Sequence, residues 1–126
     1  MTKPLILLVD DDIDTLGLME LTLQTAEFEV ISAHNGQQAL DAVKQHTFDA
    51  ILLDIMMPDL SGFDVMRILK HELEEVPPFV FLTAKNLPED RQMGEGLGAA
   101  AYLTKPTTRG HLLDAVQAAL SSRSNA

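Results

Sequence analysis

The sequence predicts a doubly wound α/β fold, in which a five-stranded parallel sheet has the strand order 2-1-3-4-5 and alternates with five helices. Five short apolar runs recur along the 126 residues, and a segment of helical periodicity follows each one. The first run, Leu5 to Val9, does not alternate with polar residues, as is typical of a central strand covered on both faces. Connections of this length predict right-handed crossovers. The length suits a single domain over residues 1–126.

The first half of the chain predicts three strands and two helices. Asp12 or Asp14 can cap the first helix, because a carboxylate accepts hydrogen bonds from the free N–H groups at a helix start. The apolar stripe of that helix is formed by Leu16, Met19, Leu23 and Ala26. The second strand is predicted over Phe28 to Ala33, and the third over Ala50 to Asp54. Between them, a second helix follows Asn35-Gly36, carries Ala39, Leu40 and Val43, and ends near His46.

The second half predicts three helices and two strands. The third helix begins around residues 61–63, carries Met66, Leu69 and Leu73, and is stopped before Pro77-Pro78. The last two strands are predicted over Phe79 to Thr83 and Ala101 to Thr104. The helix between them, roughly Pro88 to Leu97, is expected to be weak because it contains Gly94 and Gly96. A fifth helix carries Leu112, Leu113, Val116, Ala119 and Leu120, and a polar tail is predicted from about residue 121.

The composition argues against several functions. The formal net charge is -10, which repels DNA and anionic lipid, so we expect no direct contact with nucleic acid or membranes. There is no cysteine, which excludes thiolate nucleophiles and cysteine-ligated zinc and fits a reducing compartment. No apolar run reaches membrane-spanning length, and the N-terminus does not match a signal peptide. A cytoplasmic location is expected.

Polar side chains lie at the carboxyl ends of four of the predicted strands. Asp10 and Asp11 follow the first strand, Asp54 ends the third, Thr83 ends the fourth and Lys105 follows the fifth. The carboxyl ends of parallel strands meet at one edge of the sheet, near the point where the strand order reverses. Carboxylates suit a divalent cation, and an ammonium with a hydroxyl can contact phosphoryl oxygens. The set therefore predicts a site for a divalent cation and a phosphoryl group.

Among these residues, Asp54 has the strongest functional interpretation. A carboxylate that ends an apolar strand opposite an acidic pair would be repelled in the absence of a cation. For Asp12 and Asp14, helix capping is favoured over metal binding. Taken alone, Thr83 would be an ordinary strand-end hydroxyl and Lys105 a solvated lysine. The four histidines lack metal-binding spacing, and the methionines are most simply core residues.

Five groups of residues occur in an order that resembles the receiver domain of two-component response regulators. They are Asp10-Asp11, Asp54 with Met57-Pro58 and Gly62, Thr83-Ala84, Gly98-Ala99 with Tyr102, and Lys105-Pro106. The resemblance extends from Leu5 to about Leu120. It implies a flavodoxin-like (βα)5 fold and a phosphoacceptor signalling switch within a phosphorelay.

The resemblance also implies individual roles. Asp54 would be the phosphoacceptor, and Mg2+ or Mn2+ would be bound by Asp11, Asp54 and the backbone carbonyl of Met56, with Asp10 acting through water. Thr83 and Lys105 would contact the phosphoryl oxygens, and the Lys105-Pro106 peptide bond is expected to be cis. The donor would be a phosphohistidine of a histidine kinase or histidine phosphotransfer protein. The chain would catalyse its own phosphorylation and slow dephosphorylation without being a conventional enzyme.

In this family Thr83 and Tyr102 would act as a switch that changes the surface of helix four, strand five and helix five. A downstream protein or output domain would bind that surface. Met56 and Lys85 would flank the path of the attacking water and tune hydrolysis. The chain differs from the usual pattern at Ala100, Ala101, Thr107 and Gly110. Because charges that fix one family dimer are missing there, we expect a different protein partner instead of that symmetric dimer.

Two other functions are compatible with parts of the sequence. Asp10-x-Asp12 resembles the nucleophile motif of haloacid-dehalogenase-like phosphatases, but no acidic metal pair follows Lys105 and no cap insertion is present. A receiver-like interaction module that is not phosphorylated is the other alternative, and the complete set of site residues argues against it. The chain end soon after the last helix suits either a single-domain regulator or the receiver of a longer protein.

Overall fold

The computed structural model describes residues 2–124, in which five strands alternate with five helices. The strands are β1 (Leu5–Val9), β2 (Glu29–Ala33), β3 (Ala50–Asp54), β4 (Phe79–Thr83) and β5 (Ala101–Thr104). The helices are α1 (Ile13–Thr25), α2 (Gly36–Gln45), α3 (Gly62–Glu72), α4 (Pro88–Leu97) and α5 (Arg109–Ser124). All strand pairs are parallel, in the order β2-β1-β3-β4-β5. The predicted fold class and strand order are confirmed.

The sheet separates two apolar layers. Successive side chains of a strand point to opposite faces, so Leu53 packs in one layer and Leu52 in the other. The first layer is completed by α2 and α3, and the second by α1 and α5. Every residue of β3 and β4 is buried. This burial on both faces explains why β3 and β4 are continuous apolar runs in the sequence. Burying each large apolar side chain contributes about 1.5–3 kcal/mol to the free energy of folding.

Strand register brings the polar strand ends to one edge. Val9 pairs with Leu53, Asp54 pairs with Leu82, and Thr83 pairs with Thr104. The residues that follow these pairs leave the sheet side by side. The register thus places Asp10, Asp54, Thr83 and Lys105 along the same edge.

Two predicted boundaries differ from the structure. β2 begins at Glu29 because Glu27 has a positive φ of 71° and the Phe28 N–H donates to the Leu23 carbonyl, which closes α1. The polar tail predicted from residue 121 begins inside α5, which continues to Ser124. The Ser122 hydroxyl donates to the Ala119 carbonyl at 2.8 Å, so this polar side chain has a hydrogen-bond partner within the helix. Residues 125–126 of that predicted tail lie outside the described residues.

Helix α4 combines weak helix formers with close packing on the sheet. Its predicted bounds are confirmed, and its start at Leu87 has no side-chain cap. A Cβ atom at Gly94 would lie 3.1 Å from the Phe81 ring and 3.3 Å from the Tyr102 ring. The glycine therefore lowers helix propensity and at the same time lets α4 approach β4 and β5.

Asp59 connects the β3–α3 loop to the start of α2. Its carboxylate accepts hydrogen bonds from the backbone N–H groups of Gly36 at 3.0 Å and Gln37 at 2.9 Å. Asn35 caps the same helix, since its side-chain oxygen accepts from the Gln38 N–H at 2.8 Å. The hydrogen bond from Gly36 is the main reason that the pKa of Asp59 is lowered. The sequence pattern does not reveal this contact, because Asp59 and Gly36 are 23 positions apart in the chain.

Substituting alanine for Gly62 is expected to destabilise the fold by about 1–3 kcal/mol, because the added carbon would overpack the turn after β3. A Cβ there would lie 2.4 Å from the Asp54 carbonyl oxygen, while the Gly62 N–H donates to the Ile55 carbonyl at 2.8 Å. Urea unfolding measures the effect. Gly17→Ala is the matched control, since a Cβ in that part of α1 meets nothing within 4 Å and should stabilise the helix. Equal stability of Gly62→Ala and wild type would contradict the close approach.

Candidate functional site

Asp54 is a nearly buried carboxylate at the end of β3, with 4% of its surface exposed. One oxygen, Oδ1, accepts a hydrogen bond from the Met56 backbone N–H at 3.1 Å. The other, Oδ2, accepts from the Lys105 ammonium at 3.0 Å. The carboxylate is therefore held in place by the loop that follows it and by the residue that follows β5.

Asp10 is fully buried and lies beside Asp54 at the end of β1. Its Oδ2 accepts a hydrogen bond from Lys105 Nζ at 2.9 Å, and its Oδ1 accepts from the Asp12 N–H at 2.9 Å. Asp12 itself is the N-cap of α1, and its carboxylate accepts from Asp14 N at 3.1 Å and Thr15 Oγ1 at 2.8 Å. Of the two predicted caps, Asp12 is confirmed. Asp14 lies in the first turn instead.

Lys105 bridges the two buried carboxylates. Its side chain is 16% exposed, its backbone N–H donates to the Thr83 carbonyl at 2.7 Å, and the predicted cis peptide bond to Pro106 is confirmed. Burial disfavours the ammonium, but hydrogen bonds to Asp10 and Asp54 outweigh that effect and raise the pKa of Lys105. Lys105 therefore remains an ammonium at neutral pH.

The Asp10, Asp54 and Lys105 side chains together carry one uncompensated negative charge. Burial raises the pKa of Asp54 above its ordinary value, Lys105 and the Met56 N–H lower it in part, and Asp10 raises it again. A folded-state pKa above the unfolded value means that stability from this group is present at low pH and is lost as the pH rises through the folded pKa. The ionised Asp54 thus costs stability at neutral pH.

Asp10, Asp11 and Asp54 form a cluster that fits a divalent cation. Each offers one carboxylate oxygen, and these oxygens lie within 4.8 Å of one another. Asp11 is exposed to solvent while the other two are buried, so the cluster opens to water on one side. Mg2+ prefers one or two carboxylates together with waters and phosphate oxygens. The donor set therefore suits Mg2+ or Mn2+.

Thr83 is buried, and its hydroxyl is occupied by the loop that follows β4. The hydroxyl donates to the Lys85 carbonyl at 2.8 Å and accepts from the Lys85 N–H at 3.1 Å. Lys85 has an exposed side chain, as does Met56 with 57% of its surface accessible. The structure thus places Thr83 at the same edge of the sheet as Asp54. Its hydroxyl points to the loop that contains Lys85.

Tyr102 lies in β5 and pairs with Phe81 of β4. Among the described residues its buried hydroxyl has no hydrogen-bond partner of good geometry, and the Arg91 guanidinium of α4 stacks over its ring at 4.8 Å. Burial raises the pKa of Tyr102 and so does the charge of Asp90, although proximity to the Thr83 side chain and to Arg91 lowers it in part. Tyr102 therefore contacts α4 rather than the carboxylates.

Comparisons with known proteins find similar sequences over most of the chain. The sequence model described as "Response regulator receiver domain" matches residues 6–117. The transcriptional regulatory protein CpxR of Escherichia coli K12 is 40% identical over 115 residues, which are 91% of this chain and 48% of CpxR. A probable cyclic di-GMP phosphodiesterase of Vibrio cholerae is 40% identical over 104 residues, or 82% of this chain and 23% of that protein. The chain thus spans about half or less of the length of these relatives.

Solved structures show the same fold. The chemotaxis protein CheY4 of Vibrio cholerae superposes with a TM-score of 0.87 and 32% identity, covering 94% of this chain and 100% of CheY4. A CheY-like receiver of Methanospirillum hungatei has a TM-score of 0.90 and 26% identity, with 98% of both chains covered. In the described part of the chain, no helix is both long and apolar enough to cross a membrane. By its sequence match, fold and site, the chain belongs to the response regulator receiver domain family.

Proposed function

We propose that this receiver accepts a phosphoryl group on Asp54 from a phosphohistidine of a histidine kinase or histidine phosphotransfer protein. The observation that carries the proposal is the ammonium of Lys105, which hydrogen-bonds both buried carboxylates. Asp10, Asp11, Asp54 and the Met56 carbonyl would hold Mg2+ or Mn2+, which supplies charge neutralisation for the transferring oxygens when bound. The exchange would take place in the cytoplasm.

The residues divide the chemistry between them. An Asp54 oxygen attacks phosphorus while the bond from phosphorus to the donor imidazole nitrogen breaks, which leaves an acyl phosphate on this chain. Lys105 is placed to move from a carboxylate oxygen to a phosphoryl oxygen, because its ammonium already lies 3.0 Å from Oδ2. The Thr83 hydroxyl would donate to another phosphoryl oxygen after leaving Lys85. Water later attacks the phosphorus, the bond from phosphorus to the Asp54 oxygen breaks, and inorganic phosphate leaves as the carboxylate is restored.

The switch would act on the surface of α4, β5 and α5. Release of Thr83 from Lys85 changes the loop that leads into α4, and Tyr102 lies beside both Thr83 and that helix. The weak start of α4 favours a change there. A downstream protein or output domain would recognise the changed surface. With a net charge of -10, the domain itself is a poor partner for nucleic acid, which another domain would contact.

Incubation with acetyl phosphate and Mg2+ tests the proposal. The intact mass should increase by one phosphoryl group, and peptide mapping should place the group on Asp54. A beryllofluoride complex should form under the same conditions. Steady turnover of a small phosphate ester would favour the phosphatase instead, and failure to take up either group would favour a receiver-like interaction module.

Met56→Asn is expected to lose its phosphoryl group about two- to tenfold faster than wild type, the effect of one additional hydrogen bond to the attacking water. A thioether is a weak acceptor, whereas the asparagine amide orients water well. The decay of the acyl phosphate after removal of the donor measures the rate. Lys85 would also influence this rate by shielding the phosphoryl group. Equal or slower decay in Met56→Asn would contradict the role of position 56.

A further inference from the structure

Methionine provides the only oxidisable sulfur in this chain, because the sequence contains no cysteine. Among the described residues, Met19 and Met66 are buried and Met57 is half-buried. Met56 and Met93 are the exposed ones, with 57% and 42% of their surfaces accessible. Peroxides reach exposed thioethers much more readily than buried ones. Among the described methionines, oxidation should therefore concentrate on these two positions.

The environments of the two exposed sulfurs differ. The Arg67 guanidinium, which also bonds Asp64 at 3.2 Å, donates to the Met93 sulfur with 2.9 Å between Nη2 and Sδ. That contact engages a sulfur lone pair and makes it a poorer nucleophile toward peroxide. In the described part of the chain, no donor hydrogen-bonds the Met56 sulfur. Met56 is therefore both the more exposed and the more nucleophilic thioether.

We propose that Met56 is a site of reversible oxidation by peroxides, and that its sulfoxide shortens the lifetime of the phosphorylated state. The second half of this proposal rests on the function proposed above. In the reaction, the sulfur lone pair attacks one peroxide oxygen, the O–O bond breaks, an S=O bond forms and the remaining oxygen leaves as water. Sulfur is oxidised and peroxide is reduced.

The location of Met56 gives the modification its effect. Its backbone N–H donates to Asp54 Oδ1 at 3.1 Å, so the residue is anchored directly beside the phosphoacceptor. Methionine has three rotatable side-chain bonds, which let the sulfur sample the solvent side of this loop. Oxidation replaces a weak acceptor by a polar S=O oxygen that binds water. An oriented water beside the acyl phosphate should speed its loss by about two- to tenfold.

The first test measures the order of oxidation in the unphosphorylated protein. After treatment with limiting hydrogen peroxide, peptide mass spectrometry should find sulfoxide at Met56 before Met93, and at Met93 before Met66. Arg67→Gln should raise oxidation at Met93 without changing the rate at Met56. Oxidation of Met93 or Met66 at the same rate as Met56 in the wild type would overturn the site assignment.

The second test measures the lifetime of the acyl phosphate in oxidised and untreated protein, each loaded with acetyl phosphate and Mg2+. Peroxide should accelerate decay in wild type and Met93→Leu but not in Met56→Leu, and methionine sulfoxide reductase with a thiol reductant should restore the slow decay. Normal loading followed by identical decay would overturn this inference alone. If untreated protein takes up no phosphoryl group, the proposed function is wrong. The proposed effect of Met56 oxidation on the lifetime of the acyl phosphate is then wrong as well.

Discussion

Asp54→Asn is expected to take up no phosphoryl group under conditions in which the wild type is fully modified, and to unfold at a higher temperature when metal is absent. The first effect follows because an amide is not a nucleophile toward phosphorus, and the other buried carboxylate that bonds Lys105, Asp10, is completely inaccessible to solvent. The second follows from the raised pKa of Asp54, since the ionised group costs stability at neutral pH.

Removing the Asp54 charge also leaves one ammonium, Lys105, paired with one carboxylate, Asp10. Lys105 keeps its 2.9 Å hydrogen bond to Asp10, so the variant has no buried ammonium without a partner. Added Mg2+ should narrow the difference in melting temperature, because it stabilises only the protein with all three carboxylates. Asp14→Asn is the matched control, since it removes an exposed negative charge and should still accept the phosphoryl group. Equal labelling of Asp54→Asn, or a lower melting temperature in EDTA, would disprove this account.

Lys105→Met is expected to lose about 3–5 kcal/mol of unfolding free energy at neutral pH, the usual consequence of removing one partner of a buried ion pair. The substitution leaves Asp10 and Asp54 beside each other with no cation between them, and like charges oppose each other's ionisation. Phosphoryl transfer should also fall sharply, because the transferring oxygens lose their ammonium contact. Urea unfolding and intact mass measure the two effects.

The pH dependence identifies the cause of that loss. Without the ammonium, the pKa of Asp54 should rise further, so the variant should regain stability as the pH falls and Asp54 takes up a proton. The wild type should instead lose the contribution of Lys105 as the pH rises beyond the ordinary lysine pKa of 10.5 toward its raised folded value. Lys44→Met, in the last turn of α2, should change stability by no more than about 0.5 kcal/mol. A deficit in Lys105→Met that stays constant with pH would argue for lost packing instead.

The sequence allowed the order and type of the secondary-structure elements to be predicted because its local patterns agree with the global fold. The buried β3 and β4 strands have no polar interruption, and α4 is bounded by Pro88 and Gly98. The errors occurred where local signals conflict with hydrogen bonding. Phe28 has strand propensity, but its N–H closes α1, and Ser122 looks like tail sequence although its hydroxyl bonds within α5.

The site was predictable as a set of strand-end residues, but its contacts were not. Asp10, Asp54 and Lys105 follow or end apolar runs, which places them at one edge of a parallel sheet. The Lys105 ammonium bonds both carboxylates only because its side chain reaches from the end of β5 to the ends of β3 and β1. Such side-chain geometry cannot be read from the sequence. The engagement of Thr83 with Lys85 is a turn geometry that many threonines could adopt. The environment of the Met93 sulfur likewise depends on Arg67, which is 26 positions away in the chain.

Tyr102 gives this protein a built-in optical reporter. The chain has one tyrosine and no tryptophan, so its near-ultraviolet tyrosine emission comes from a single ring. That ring lies under the Arg91 guanidinium, and its hydroxyl is sealed from solvent. A displacement of α4 would separate the ring from the cation and expose the phenol to water. Phosphorylation of Asp54 could then be followed in real time, in unlabelled protein, from the fluorescence of Tyr102.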